Sequence, residues 1–198
     1  MSKAIRLNSG MNNNTIMERK ESAMLEPFFK SARHWHFVEL MEETCVCRAQ
    51  VAHYLRKFVQ QGLILRIKKK GKMPIYTQNF DNPAFRMKKR LYALSLLTNT
   101  GLLDHLNSLR DAKVVILFGS FSRADWHKDS DIDIFIYGKS DDFEQAKFEA
   151  ALKREIQVHE ASNKKEMKKM SRMLPYIIAG DFIKGSIDDL GVKIHAEA

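Results

Sequence analysis

The sequence predicts an α+β protein in two parts: a basic, helix-rich N-terminal part closed by a β-hairpin, and a C-terminal part built on a small mixed sheet. Three observations carry this expectation. Helical periodicity fills residues 18–61 and gives way to two short runs, Leu63–Lys68 and Pro74–Gln78, around a Lys- and Gly-rich turn. Apolar β-branched runs reappear at Lys113–Phe118 and Asp131–Tyr137, separated by Gly119, Ser120 and a polar loop. Charge divides the same way. Residues 1–110 hold nineteen Lys and Arg against eight Asp and Glu, and residues 111–198 hold fourteen against sixteen, so the halves carry +11 and −2 of the net +9. The basic half is the part suited to a polyanion.

Composition excludes some classes. No apolar run approaches the roughly 20 residues that span a bilayer, and MSKAIRLNSG lacks a signal-peptide core, so a cytoplasmic protein with no membrane partner is expected. The two cysteines, Cys45 and Cys47, are too close in sequence to bridge readily. His34, His36, Cys45 and Cys47 lack the usual zinc-finger separation, and simple burial is the expectation for the cysteines.

In chain order, residues 1–16 read as a polar lead-in. Residues 17–80 then form one domain. Met24, Leu25, Phe28 and Phe29 mark one face of a first helix over 18–32, and His36–Glu43 gives a second. Arg48–Gln61 gives a third, with Val51, Leu55 and Val59 inward and Gly62 as its stop. Residues 81–100 read as a helical linker with Arg86, Lys88, Lys89 and Arg90 outward, and 101–198 as a second domain. There a helix over 102–109 precedes the first strand. A helix over 141–153 leads to a third strand over 154–160. Ser162 is expected to cap a basic helix to Met173, Pro175 to restart a helix to Lys184, and 192–196 to form a final edge strand.

The chemistry concentrates in Leu117–Ile136. Strand alternation puts Ile132, Ile134 and Ile136 on one face and Asp131, Asp133 and Phe135 on the other. Adjacent carboxylates repel, and hard divalent cations with oxygen ligands compensate them. Gly119 permits a sharp turn and close backbone approach, the following amides with the Ser120 hydroxyl suit phosphate, and Arg123 adds charged donors.

Gly119, Ser120, Arg123, Ser130, Asp131 and Asp133 together resemble the signature of the minimal nucleotidyltransferases, of the DNA polymerase β-like superfamily. The order helix, helix, turn, helix, hairpin over Trp35–Asn79 resembles a winged helix-turn-helix, above all in residues 54–66. The first resemblance implies a small mixed sheet with helices on one face. It also implies Mg²⁺- or Mn²⁺-dependent transfer of a nucleoside monophosphate from a nucleoside triphosphate to a hydroxyl. Asp131 and Asp133 would be metal ligands, and Gly119, Ser120, Arg123 and Ser130 would bind nucleotide. The second implies double-stranded DNA as partner, read by Arg48, Gln50, His53 and Arg56 and held by Lys68, Lys69, Lys70 and Lys72. A protein-interaction module is the alternative for that domain.

Two departures stand out. Ala124 occupies a position where the family usually has Gly. Gln157 stands where active members place a third carboxylate, and Glu155 or His159, two residues to either side, are its candidate substitutes on that face, with Glu160 opposite. A DNA-binding regulator or antitoxin with a weakened, nucleotide-sensing or inactive domain is therefore the rival function. A small helical toxin as partner and a homodimer stay open.

Overall fold

A computed structural model describes residues 13–191. The expected edge strand at 192–196 and the first twelve residues of the lead-in lie outside this range. The chain divides into two compact units, Met1–Asn79 and Phe80–Ala198.

The first unit holds α1 (Asn13–Lys30), β1 (Trp35–His36), α2 (Phe37–Thr44), α3 (Arg48–Gln60), β2 (Ile64–Ile67) and β3 (Ile75–Gln78). Helix α1 begins inside the expected lead-in. Met24, Leu25, Phe28 and Phe29 are all buried, the i, i+1, i+4, i+5 stripe of an amphipathic helix. Helix α2 starts with a capping box in which the His36 N–H donates to the Glu39 carboxylate at 2.6 Å. Helix α3 buries Val51, Tyr54, Leu55 and Phe58, whereas Val59, expected inward, is half-buried. It stops at Gly62, whose φ of +68° lets the Leu63 N–H return to the Phe58 carbonyl at 2.9 Å. Strands β2 and β3 form an antiparallel hairpin, and the two-residue β1 adds to β3 in the order β1-β3-β2. β1 escaped the sequence because two residues carry no period.

The second unit begins with α4 (Pro83–Asn99), followed by α5 (Leu102–Ser108), β4 (Ala112–Phe118), α6 (Gly119–Arg123) and β5 (Ile132–Gly138). Next come α7 (Gln145–Leu152), β6 (Ile156–Ala161), α8 (Lys164–Lys169), α9 (Leu174–Ile178), β7 (Asp181–Lys184) and a 3₁₀ turn at Ile187–Leu190. The sheet runs β6-β5-β4-β7, with β5 and β6 parallel and the other pairs antiparallel.

Four expectations are corrected here. Helix α4, read as a linker, packs within this unit: Asn82 caps it, accepting from the Ala84 N–H at 2.8 Å, and it buries Phe85, Lys89, Ala93 and Leu97. Lys89 is thus on the inner stripe, four residues from Phe85 and Ala93, and Leu91 is exposed instead. The α8 cap is Asn163, whose side-chain oxygen accepts from the Lys165 and Glu166 N–H groups, and not Ser162. The helix expected from Pro175 to Lys184 ends at Ile178, and 181–184 pairs as an edge strand with β4. Gly180 fits the bend between them, since a Cβ there would lie 2.5 Å from the Leu117 carbonyl.

Both faces of the sheet are covered, not one. Val114, Ile116, Phe118, Phe135 and Tyr137 pack with Met167, Ile177 and Leu190 from α8, α9 and the 3₁₀ turn. Val115, Leu117, Ile132, Ile134 and Ile136, of opposite parity, are equally buried. Filling both sides explains why β4 from Val114 on and β5 from Ile134 on are near-continuous apolar runs.

Candidate active site

The site forms where β4 runs out. Phe118, its last residue, pairs with Asp133 of β5. The chain then turns through Gly119 at φ +71°, a conformation that L side chains rarely adopt. Space makes the same demand: a Cβ on Gly119 would lie 2.0 Å from Asp133 Oδ2. Gly119 therefore brings backbone directly against the carboxylate. The short helix α6 ends at Ala124, which is buried and held at φ +64°, with the Ala124 N–H donating to the Ser120 carbonyl. The departure from Gly falls at a left-handed position, and the conformation costs the alanine roughly 1–2 kcal/mol.

Asp131 and Asp133 lie on the Phe135 parity, the face expected from the alternation, and both are half-buried. Burial pushes the Asp133 carboxyl up. The charge of His159 pulls it down, Asp131 raises it as a neighbouring negative charge, and Arg123 lowers it. His159 Nε2 stands 3.9 Å from Asp133 Oδ1, and its ring packs on Phe118 with centroids 5.4 Å apart. Two carboxylates, one partly desolvated, fit a hard divalent cation. Among the described residues no third His, Cys, Asp or Glu joins them in a metal-binding group.

The third strand explains this. Gln157 pairs in parallel register with Asp133, and its Nε2–H donates to Asp131 Oδ2 at 2.7 Å. An N–H donor thus faces the carboxylate where a ligand oxygen would be needed. Glu155 is exposed and contributes its backbone carbonyl to the Ile132 N–H at 3.0 Å. Glu160 accepts from the Ser140 N–H and hydroxyl, well along the strand. Of the candidate substitutes only His159 reaches the pair.

Ser130 and Arg123 are placed differently from one another. The Ser130 hydroxyl accepts from the His127 N–H at 2.8 Å and closes the 127–130 turn, so its oxygen braces the loop. Arg123 is exposed and donates through Nε to Asp125 at 3.1 Å.

Arg154 is a residue the sequence reading missed. Its Nη1 donates to the His127 and Ser130 carbonyls, each at 2.8 Å, and its guanidinium lies 5.3 Å and 5.5 Å from the Phe121 and Trp126 ring centroids. Trp126 is the centre of a stack, with Tyr92 at 6.0 Å and Phe121 at 5.4 Å, and Lys89 Nζ lies 4.9 Å from its ring centroid. Burial lowers the Lys89 ammonium to about 8, opposed by the charge of Asp125. This aromatic and cationic assembly fixes the loop that delivers Asp131. Its sequence signal was weak, because it joins positions 89, 92, 121, 126 and 154 from four separate segments.

In the first unit Arg48, His53 and Arg56 are exposed on α3, Gln50 is half-buried, and Lys68, Lys69, Lys70 and Lys72 are exposed in the hairpin turn. Cys45 and Cys47 are free and exposed, against the expectation of burial; Cys45 ends α2 in the left-handed conformation at φ +52°, which holds it at the turn. No described helix is long and apolar enough to cross a membrane.

No curated protein and no solved structure matches the chain. The part that holds the Gly119 turn and the Asp131 and Asp133 pair, residues 101–191, matches the family model of the nucleotidyltransferase domain.

Proposed function

We propose that the second unit binds a nucleoside triphosphate with Mg²⁺ or Mn²⁺ and transfers its nucleoside monophosphate to an acceptor hydroxyl. The observation that carries this is the close approach of the Gly119 backbone to Asp133, with Asp131 just before β5 and its charge acting on Asp133. Asp131 and Asp133 would hold the cation, which supplies neutralisation of the triphosphate charge. The turn at Gly119 and the Ser120 hydroxyl would seat the β and γ phosphates, and the Arg123 guanidinium would meet the charge that grows on them. In the transfer the acceptor oxygen bonds to the α-phosphorus, the bond to the β-phosphate oxygen breaks, pyrophosphate leaves, and the acceptor proton passes to solvent or to His159. Label transfer from α-labelled ATP, compared between wild type and Asp133→Asn, tests it: loss of transfer in the variant supports the reading, and equal transfer sinks it.

The Gln157 hydrogen bond to Asp131 favours a second reading, in which the domain senses nucleotide without turnover. Under it, Mg²⁺ and ATP bind but no label moves. For the first unit we propose a winged helix-turn-helix that binds double-stranded DNA. Its support is the net +8 of residues 1–79, fourteen Lys and Arg against six Asp and Glu, with Arg48, His53 and Arg56 exposed on α3 and four lysines at the hairpin turn. An antitoxin that represses its own operon would combine the two units, with the toxin's hydroxyl as acceptor.

A further inference from the structure

Cys45 and Cys47 flank Val46 in the turn that joins α2 to α3, and both thiols are exposed. Each stands where the local backbone favours another residue. Cys45 ends α2 in the left-handed conformation at φ +52°, a position suited to Gly or Asn. Cys47 is the N-cap of α3, a position suited to Ser, Thr, Asp or Asn, and its side chain makes no capping hydrogen bond. The Cys47 carbonyl starts the helix alone, accepting from the Gln50 and Val51 N–H groups at 3.0 Å. Cysteine is among the residues most often buried, so neither packing nor capping accounts for this pair.

What the two side chains share is soft sulfur. Residues two apart lie within about 7 Å of each other along the chain. An ion seated between two sulfurs spans more distance than the roughly 2 Å of a disulfide, so a spacing that bridges poorly through S–S suits a chelate. The Cys45 thiol is held only by a weak bond to the Glu42 carbonyl at 3.7 Å, so it is free to turn toward Cys47. Among the described residues no third His, Cys, Asp or Glu joins the pair in a metal-binding group, which argues against the four-ligand shell of structural Zn²⁺. Two thiolates with no further ligand suit a soft monovalent ion, and Cu(I) is the one that sulfur ligands select.

We propose that Cys45 and Cys47 chelate one Cu(I), and that the loaded pair weakens the hold of α3 on DNA. On binding, each thiol gives its proton to solvent, two copper–sulfur bonds form, and copper stays monovalent. Two thiolates against one monovalent cation leave the complex with a single negative charge. That charge lies at the N-terminus of a 13-residue helix, where unpaired N–H groups and the dipole favour an anion. It also lies next to Arg48, the exposed first residue of α3. There it offsets a cation proposed to meet DNA and repels phosphate. The effect on DNA rests on the winged-helix reading above, but the chelate does not.

The test uses the full chain, free of oxygen and kept reduced with ascorbate. Cu(I) is offered as its bicinchoninate complex, whose colour fades as protein withdraws the copper. Wild type is expected to withdraw one Cu(I) per chain without a change of mass in sedimentation, and Cys45→Gly and Cys47→Ser are each expected to withdraw none. Both variants should melt at or above wild type, since each installs a residue that its position favours, so lost copper would not be lost fold. Copper withdrawn equally by the variants would overturn the site. Half a copper per chain with a doubled mass would overturn it too, by placing the ion between two copies, and Zn²⁺ held as tightly as Cu(I) would overturn the two-ligand assignment. Anisotropy of a fluorescein-labelled duplex reads the second claim: Cu(I) is expected to lower wild-type affinity several-fold and to leave both variants unchanged. A wild-type affinity that copper does not move would overturn the effect on α3. Absence of duplex binding before copper is added would overturn the winged-helix reading together with that effect, while the competition still decides the chelate.

Discussion

Gln157 Nε2 donates to Asp131 Oδ2 at 2.7 Å, so an uncharged donor occupies a lone pair of one of the two carboxylates proposed to hold the cation. Replacing the amide by a carboxylate removes that donor and adds a charge. Gln157→Asp is expected to raise the label-transfer rate above wild type, by up to roughly 10²- to 10⁴-fold if the new carboxylate also acts as base. Without metal the same variant should melt lower, because three carboxylates then repel, and Mg²⁺ should restore it. A rate equal to wild type together with a lost transfer in His159→Ala would assign the base to His159 instead.

Gly119 has no tolerable substitute. Gly119→Ala places a methyl 2.0 Å from the Asp133 carboxylate position at a φ of +71°. A loss of roughly 1–3 kcal/mol from backbone strain is expected, with further loss from the clash. Nucleotide binding should fall as well. Thermal melts and ATP titrations of Gly119→Ala beside Ser120→Ala check this: the serine variant should melt like wild type and bind more weakly, since it removes a hydroxyl without a clash.

Arg154 is expected to matter more to the site than its distance from the carboxylates suggests. Arg154→Met removes two charge-assisted bonds to the His127 and Ser130 carbonyls and should cost on the order of 2–3 kcal/mol in urea unfolding. Arg154→Lys should rescue in part, because one ammonium can donate to both carbonyls as Nη1 does but lacks the planar guanidinium that lies over the Phe121 and Trp126 rings.

Lys89 gives a pH signature. Its folded-state value of about 8 lies below the ordinary lysine value, so between pH 8 and about 10.5 the unfolded chain binds the extra proton. Below pH 8 both states are protonated and the penalty of burying the ammonium is fully present. Stability from this residue therefore rises with pH across that window. Lys89→Met should be more stable than wild type at pH 7, by on the order of 1–3 kcal/mol, and the difference should shrink toward pH 10. A pH-independent difference would remove burial of the charge as its cause.

The carboxylate pair was legible in the sequence because a period of two is a local property: Asp131, Asp133 and Phe135 share a parity whatever packs on them. The α3 stop at Gly62 was legible for the same reason, since a cap is local chemistry. What stayed hidden depends on distant partners. Asp181–Lys184 has the composition of a helix end, and only the open edge of β4 makes it a strand. Lys89 reads as a solvated charge until Trp126, 37 positions on, is seen beneath it. Gln157 could be named as a departure, but its hydrogen bond to Asp131 follows from the parallel register of β5 and β6, which no local pattern encodes.

Calorimetry with ATP and Mg²⁺ on wild type, Asp131→Asn and Asp133→Asn tests the central claim most directly, because it reads the carboxylate pair without requiring an acceptor. The account predicts metal-dependent binding in wild type, abolished in both variants, with apo melting points equal to wild type or higher, since burial and the Asp131 charge both disfavour an ionised Asp133. Equal ATP affinity in all three proteins, with or without Mg²⁺, would contradict it.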